Sequence, residues 1–462
     1  MVPQRTSIHG NWSSRLAFIL AATGAAVGLG NVWKFPYLTG EHGGGAFVLV
    51  YLVCVFGVGL PIMIAEMVLG RRGRRNPISS MRLLSEEEAG SRRWYLVAWV
   101  GVITGMLILS YYSVVGGWTL SYIAHTAAGA LRGADASAVA ERFGALLADP
   151  AALVAWHSVF MAVTIIVVAR GVEHGLEATV RLMMPVLFIL LLLLVGYAMS
   201  TGHFTAGLRF MFTPDFAALT PRAVMLALGQ AFFSLSVGMG AIMAYGAYLP
   251  EDTALAPTAA IVVAADTAVA ILAGLAIFPI VFAYGLDPAE GPGLIFHTLP
   301  IAFGAMPFGT VFGTLFFVLL AIAAWTSAIG LMEPAVAYLV ERRDFSRVFA
   351  AWLVGGLIWA LGLASVFSFN LWSDVTLTVG GRAFTAFDGV EFVTSNVALP
   401  IGGLLIALFA GWVMSKGSTL DEFDRGASAG YHGWRLLIRW LVPAALVLMF
   451  LHVTGILQFA GE

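Results

Sequence analysis

Eleven apolar runs of about 20 residues dictate what this chain can become, at 12–39, 43–70, 94–125, 151–169, 176–200, 222–248, 257–285, 307–340, 346–367, 389–415 and 434–457. A helix of that length crosses the hydrocarbon core of a bilayer, and only helices and closed barrels satisfy their backbone hydrogen bonds there. With 60% hydrophobic and 11% charged residues, the chain carries more apolar surface than a soluble domain can hide. The composition therefore specifies an all-α polytopic membrane protein. Its net charge of -2 gives no reason to expect a nucleic-acid partner. The single cysteine, Cys54, excludes an intrachain disulfide. The first run has no small-residue cleavage site and reads as a retained helix. Arg71, Arg72, Arg74, Arg75, Arg92, Arg93, Arg170, Arg342, Arg343, Arg347, Lys416 and Arg425 all fall on one side of this count, which the positive-inside rule makes cytoplasmic. The amino terminus is then expected inside and, after an odd number of spans, the carboxyl terminus outside. The connection 286–306 holds too many apolar residues for a solvated tether and is expected to fold back as a cap on the outer side. AERFGALLAD, in the connection 126–150, is expected to form a surface helix.

The first run, AATGAAVGLGNVWKFP, contains Gly24, Gly28, Gly30, Asn31 and Lys34, which an ordinary spanning helix does not need. Glycine lowers helix propensity by about 1 kcal/mol against alanine, and a broken helix at membrane depth must face protein or a water-filled cavity. The V-G-x-G of Val27 to Gly30 recurs as Val237 to Gly240 in SLSVGMGAIMAY. Small-residue patterns often serve only close helix packing. Two matched interruptions in corresponding halves instead point to a transporter site built from discontinuous helices. The breaks lie in spans 1 and 6, which divides the chain into five-span halves, 12–201 and 221–415, of opposite orientation, with 432–462 as a peripheral eleventh span.

Polar groups within the runs narrow the reading further. Glu66 is expected either to snorkel to the inner interface or to accept hydrogen bonds from amides freed at a break. Asp266 has no neighbouring cation in sequence and would neutralise unless a bound metal cation kept it charged. Tyr111 and Tyr112 need hydroxyl partners if buried. Thr326 and Ser327 can bond back to their own helix or offer oxygens to a hard cation.

The long motifs NWSSRLAFILAATGAAVGLGNVWKFPY, GGGAF and GQAFFSLSVGMGAI carry a resemblance to the neurotransmitter:sodium symporter family, and to its bacterial members in particular, from Trp12 onward. The resemblance implies a leucine-transporter-type 5+5 inverted repeat with spans 1 and 6 unwound at the midplane, residing in a bacterial inner membrane. It implies a sodium-coupled importer of neutral, hydrophobic L-amino acids working by alternating access, not an enzyme. A first sodium site would use Ala26, Asn31, Ser234 and Asp266 with the substrate carboxylate. A second would use Gly24, Val27, Ala323, Thr326 and Ser327. The substrate carboxylate would meet the amides of Leu29 and Gly30 and the Tyr112 hydroxyl. Its ammonium would meet carbonyls of Ala26, Phe233 and Ser234 and the Ser236 hydroxyl. Ile108, Phe233, Met239 and Leu331, with Ser327 at the edge, would line the side-chain pocket.

Departures from the family pattern shape further expectations. Asp266 keeps a negative charge near the first sodium, and Tyr51, Gln230 and Ser234 match positions that surround chloride in animal members; chloride is therefore expected not to be required, since it would repel the carboxylate. Gly28 replaces the aspartate of monoamine carriers, which argues for a substrate with its own carboxylate. The outer gate pairs Lys34 with Glu391, without the guanidinium fork, and is expected to be a weaker or more water-mediated latch. The inner latch would draw on His9 or Arg5, Trp12 and Glu341. Competing readings are an ion channel, a non-transporting amino-acid sensor on the same fold, and an enzyme using Gly426-Ala427-Ser428-Ala429-Gly430, which lacks the preceding strand that a nucleophile elbow requires.

Overall fold

The computed structural model describes residues 10–250, 252–379, 382–423 and 429–453. Nine helices among them are long and apolar enough to cross a bilayer: Gly45–Gly73, Tyr95–Ala127, Pro150–Ala169, Val172–Ser200, Leu255–Ala283, Gly309–Arg343, Arg347–Phe367, Ala386–Val413 and Gly430–Val453. A tenth span is the pair Arg15–Ala26 and Gly30–Glu41, bent by 53°. The eleventh is split into Pro221–Ser234 and Ala241–Gly246, pieces too short to cross alone. Numbered along the chain, the split pairs are spans 1 and 6, and the runs read from sequence match all eleven. Gly426, Ala427 and Ser428 of the GxSxG segment lie outside the described residues.

The two breaks use the same V-G-x-G pattern differently. In span 1, Val27 turns to an extended conformation (ψ 115°) and ends the helix at Ala26. Gly28 and Gly30 do not adopt positive φ. In span 6 the chain passes through three left-handed residues, Ser236 (φ 51°), Gly238 (φ 87°) and Gly240 (φ 78°), conformations that favour glycine. Gly238 and Gly240 are thus conformational, whereas Gly28 and Gly30 are there for space.

Burial sorts the spans. The most apolar stretch of span 8 is 83% buried and that of span 3 is 72% buried, whereas span 11 reaches 22%. Spans 3 and 8 therefore surround the broken pair, and span 11 lies at the periphery. On the outer side, Leu294–Ala305 is helical with Leu294, Ile295, Phe296, Leu299 and Phe303 buried. Phe296 packs on Trp33, Trp118 and Tyr122, and Trp33 Nε1 donates to the Pro292 carbonyl at 3.1 Å. The connection caps the site, as its apolar content requires. Ala136–Ala148 forms the surface helix, started by Asp135 accepting from the Ala138 amide. Sequence reading did not foresee the inner helix Pro77–Ala89 or the short outer hairpin of Leu377–Val379 with Arg382–Phe384.

Close backbone approach fixes the inner half of span 6 against span 2. A Cβ on Gly70 would lie 2.1 Å from the Met243 carbonyl oxygen and 3.0 Å from the Ala247 nitrogen. Both are backbone atoms that cannot rotate away. Gly70→Ala is expected to destabilise the fold by about 1–3 kcal/mol, seen as a lower thermal midpoint of the purified protein; an unchanged midpoint contradicts this packing.

Candidate functional site

Each broken helix leaves amides and carbonyls without intrahelical partners, and the site is the set of groups that answers them. At span 1, the Leu29 amide donates to Tyr112 Oη at 2.9 Å, and the Gly28 amide to Asn31 Oδ1 at 3.0 Å. Gln230 Nε2 donates to the Gly30 carbonyl at 2.7 Å. At span 6, Glu66 Oε1 accepts from the Gly238 amide at 2.6 Å and Oε2 from Met243 at 3.2 Å. Glu66 is fully buried and braces the break; it does not snorkel. Ser236 Oγ ties the two breaks together by donating to the Ala25 carbonyl at 2.8 Å.

Ala26, Gly28, Gly30, Ile108, Tyr112, Phe233, Ser236, Met239, Ser327 and Leu331 line a small pocket between the two breaks. Nine of these were read from sequence as substrate contacts; Gly28 was singled out as a residue of the break and for what it replaces. Leu29 reaches the pocket through its amide, and Ser234 lies behind the wall. One end of the pocket is polar, formed by the amino end of the outer half of span 1 and Tyr112. The other is apolar and carries no charged side chain. A Cβ on Gly28 would sit 2.5 Å from Tyr112 Oη and 3.0 Å from Ser327 Cβ.

Beside the pocket, Asp266 accepts from Asn31 Nδ2 at 2.8 Å through Oδ1 and from Ser234 Oγ at 2.6 Å through Oδ2. Tyr51 Oη donates to Ser234 Oγ at 3.1 Å. Asn31, Ser234 and Asp266, the three side chains expected at the first sodium site, thus lie together; Asn31 turns its nitrogen toward Asp266. Its oxygen caps Gly28 instead, so it can present oxygen to a cation there only if the amide rotates. Thr326 Oγ1 lies 3.1 Å from both the Ile322 and Ala323 carbonyls and 3.5 Å from that of Val27. It bonds back to its own helix while facing span 1, and a Cβ on Gly24 would lie 3.4 Å from Thr326 Cβ. These are hard, oxygen-rich sets of the kind that suits an alkali or alkaline-earth cation.

On the outer side, Lys34 Nζ meets Glu391 Oε1 at 2.5 Å, with the lysine side chain 15% exposed, and lies 4.9 Å from the Phe233 ring centroid. Of the expected weaker or more water-mediated latch, the water-mediated form is not what the structure shows: the ammonium contacts the carboxylate directly, with the Phe233 face as a second neighbour. On the inner side, Trp12 donates through Nε1 to the Tyr245 carbonyl and through its amide to that of Tyr248, each at 3.0 Å. Glu341 accepts from the Asn76 amide at 2.6 Å and from Asn76 Nδ2 at 2.5 Å, a partner the sequence reading did not name. His9 and Arg5 lie outside the described residues. Two inner clusters were also missed. Glu333 is fully buried, paired with Arg347 and bonded by Tyr248 Oη at 2.9 Å. Glu177 accepts from the Ser13 amide at 3.0 Å and pairs with Arg181 at 2.8 Å. A carboxylate in an apolar run is the signal that found Glu66 and Asp266, and it marks Glu333 equally.

Paired helix breaks enclosing a polar-ended pocket at the centre of a helical membrane protein define a secondary transporter, not an enzyme. The chain belongs to the sodium:neurotransmitter symporter family, whose model matches residues 9–143 and 142–462. It is 41% identical over 451 residues to an uncharacterised sodium-dependent transporter, YhdH, of Bacillus subtilis (strain 168), covering 97% of this chain and 98% of that one. It is 33% identical over 450 residues to an uncharacterised sodium-dependent transporter of Haemophilus influenzae (strain ATCC 51907 / DSM 11121 / KW20 / Rd), covering 95% and 97%. The fold superposes on the crystal structure of MhsT in complex with L-phenylalanine with a TM-score of 0.89 and 42% identity, covering 96% of this chain and 99% of that one. The protein is thus a multi-pass, sodium-coupled symporter.

Two substitutions test the site. Gly28→Ala, whose Cβ would press on the Tyr112 hydroxyl, is expected to abolish substrate binding, measured by displacement of labelled ligand, and to lower the thermal midpoint of the purified protein as Tyr112 is pushed from the Leu29 amide; retained affinity contradicts the placement of Tyr112 against the break. Glu66→Ala leaves two buried amides unanswered, each costing about 1–3 kcal/mol. It should lower the thermal midpoint more than Glu66→Gln, which keeps one acceptor.

Proposed function

We propose that this symporter imports neutral, hydrophobic L-amino acids together with Na⁺ and does not require chloride. The observation that carries the reading is the two-ended pocket. At its polar end the Leu29 amide and Tyr112 hydroxyl meet at 2.9 Å, beside the positive end of a half-helix dipole that suits a carboxylate. A zwitterion then spans from these groups to the carbonyls of Ala26, Phe233 and Ser234 and the Ser236 hydroxyl, which suit an ammonium. Ile108, Phe233, Met239 and Leu331 receive the side chain, with Ser327 at the edge, and the flexible Met239 thioether accommodates aliphatic and aromatic groups. The phenylalanine in the MhsT complex agrees with such a ligand.

Two sodium ions accompany it in this reading. Asp266, Ser234, Asn31 and the Ala26 carbonyl hold the first together with the substrate carboxylate, which couples ion and solute. Gly24, Val27, Ala323, Thr326 and Ser327 hold the second. Asp266 occupies the hydrogen-bonding position of Ser234 that a chloride would need, since two anions within a few ångströms repel. Halves 12–201 and 221–415 act as inverted repeats about the fixed site, Lys34–Glu391 closes it from outside and the Trp12 and Glu341 contacts from inside. The span count and the basic clusters support an inner-membrane orientation with the amino terminus cytoplasmic.

Proteoliposomes with an inward Na⁺ gradient provide the test. Leucine, phenylalanine and other neutral amino acids should accumulate saturably, uptake should collapse when K⁺ replaces Na⁺, and gluconate in place of chloride should leave it unchanged. Displacement of labelled leucine by glycine or charged amino acids alone, chloride-dependent uptake, or large unitary currents would overturn the proposal.

A further inference from the structure

Span 11 carries a cation that the transport site does not use. Arg439 lies within Gly430–Val453, and its guanidinium covers the Trp412 ring at 4.6 Å from the centroid. Trp412 Nε1 donates to the Arg439 carbonyl at 3.0 Å, and Trp440 meets the Trp412 ring edge-on at 4.8 Å. Trp412 is 45% exposed and Trp440 62%. A Cβ on Gly411 would sit 3.1 Å from Arg439 Cγ, so the arginine stem lies flush against span 10. The fork is therefore held in one place by stacking and backbone contact.

Three neighbouring arginines are answered by protein. Arg71 pairs with Glu422 at 2.7 Å, Arg72 bonds Ser418 at 3.0 Å and faces Glu88 at 3.8 Å, and Arg435 donates to Thr419 at 2.8 Å and Tyr431 at 3.1 Å. Arg439 makes no ion pair among the described residues, and its Nε is buried without a hydrogen-bond partner. Its depth is fixed by Trp412, one residue before span 10 ends at Val413. Arg72 reaches Ser418 just beyond that end, so the site lies on the basic face of the molecule, at the level where helices meet headgroups.

We propose that Arg439, Trp412 and Trp440 form a binding site for the phosphate headgroup of an anionic phospholipid in the leaflet on the basic face. The phosphodiester accepts from the two Nη groups of the guanidinium, which have no partner among the described residues, and the two exposed indoles border it as interfacial aromatic residues do. The acyl chains run along the apolar flank of span 11, where Leu441, Val447 and Leu448 are exposed. Tryptophan stacking distinguishes this from an arginine that merely extends to water: the side chain is preorganised and its planar face is already occupied, which leaves its edge for the ligand.

Native mass spectrometry of the purified full-length chain, offered phosphatidylglycerol or phosphatidylcholine with the same acyl chains, tests the site. The wild type should retain phosphatidylglycerol preferentially. Arg439→Gln should lower the retained fraction roughly fivefold, the worth of about 1 kcal/mol per interfacial cation. Trp412→Leu should lower it by loss of preorganisation, Arg439→Lys less than Arg439→Gln, and Arg92→Gln, at an exposed arginine elsewhere on the basic face, not at all. Should Arg439→Gln prove too unstable to purify, the Trp412→Leu comparison decides. Equal retention of the two lipids, wild-type retention by the decisive variant, or displacement of phosphatidylglycerol by millimolar inorganic phosphate would overturn the proposal.

Discussion

A helix broken in the middle of a bilayer exposes backbone groups that no solvent can satisfy, and this chain breaks two of them side by side. The cost of an unmade buried hydrogen bond, about 1–3 kcal/mol, makes every partner consequential. Glu66 answers the amides of Gly238 and Met243, Asn31 that of Gly28, Tyr112 that of Leu29, and Gln230 the carbonyl of Gly30. These partners come from spans 1, 2, 3 and 6. The breaks are consequently stable only inside an assembled core, which is why the most buried spans are those that surround them.

The same arrangement produces a functional site without added machinery. Polar groups that stabilise a break are, from the pocket side, donors and acceptors of fixed direction. Asp266 belongs to this set through Asn31 and Ser234, so the carboxylate beside the pocket is joined to the residue that caps the span 1 break. A cation bound there would act on the same network that shapes the substrate end. Coupling between ion and solute then follows from shared contacts and needs no distant relay.

The two V-G-x-G segments show where letters stop informing. Both predict interruption, and both are interrupted. Yet Gly238 and Gly240 are required by left-handed backbone, whereas Gly28 is required by the approach of Tyr112 Oη, an atom 84 positions away in sequence (112 − 28). The Lys34–Glu391 latch teaches the same lesson. The two charges are legible as a pair, but the Phe233 face beside the Lys34 ammonium is brought there only by folding.

By itself the sequence determined the number of spans, the two that break and the capping segment at 286–306, because apolar length and helix-breaking residues are local signals; the pocket wall was named only through the family resemblance carried by the long motifs around the two breaks. Tertiary structure decided which way Asn31 faces, that Glu66 braces instead of snorkelling, that Glu341 finds Asn76 and Glu333 finds Arg347 and Tyr248, and that Arg439 stacks on Trp412 without a carboxylate. Each of those pairings joins residues from different helices, and the register between helices is set by side-chain packing that no single segment contains.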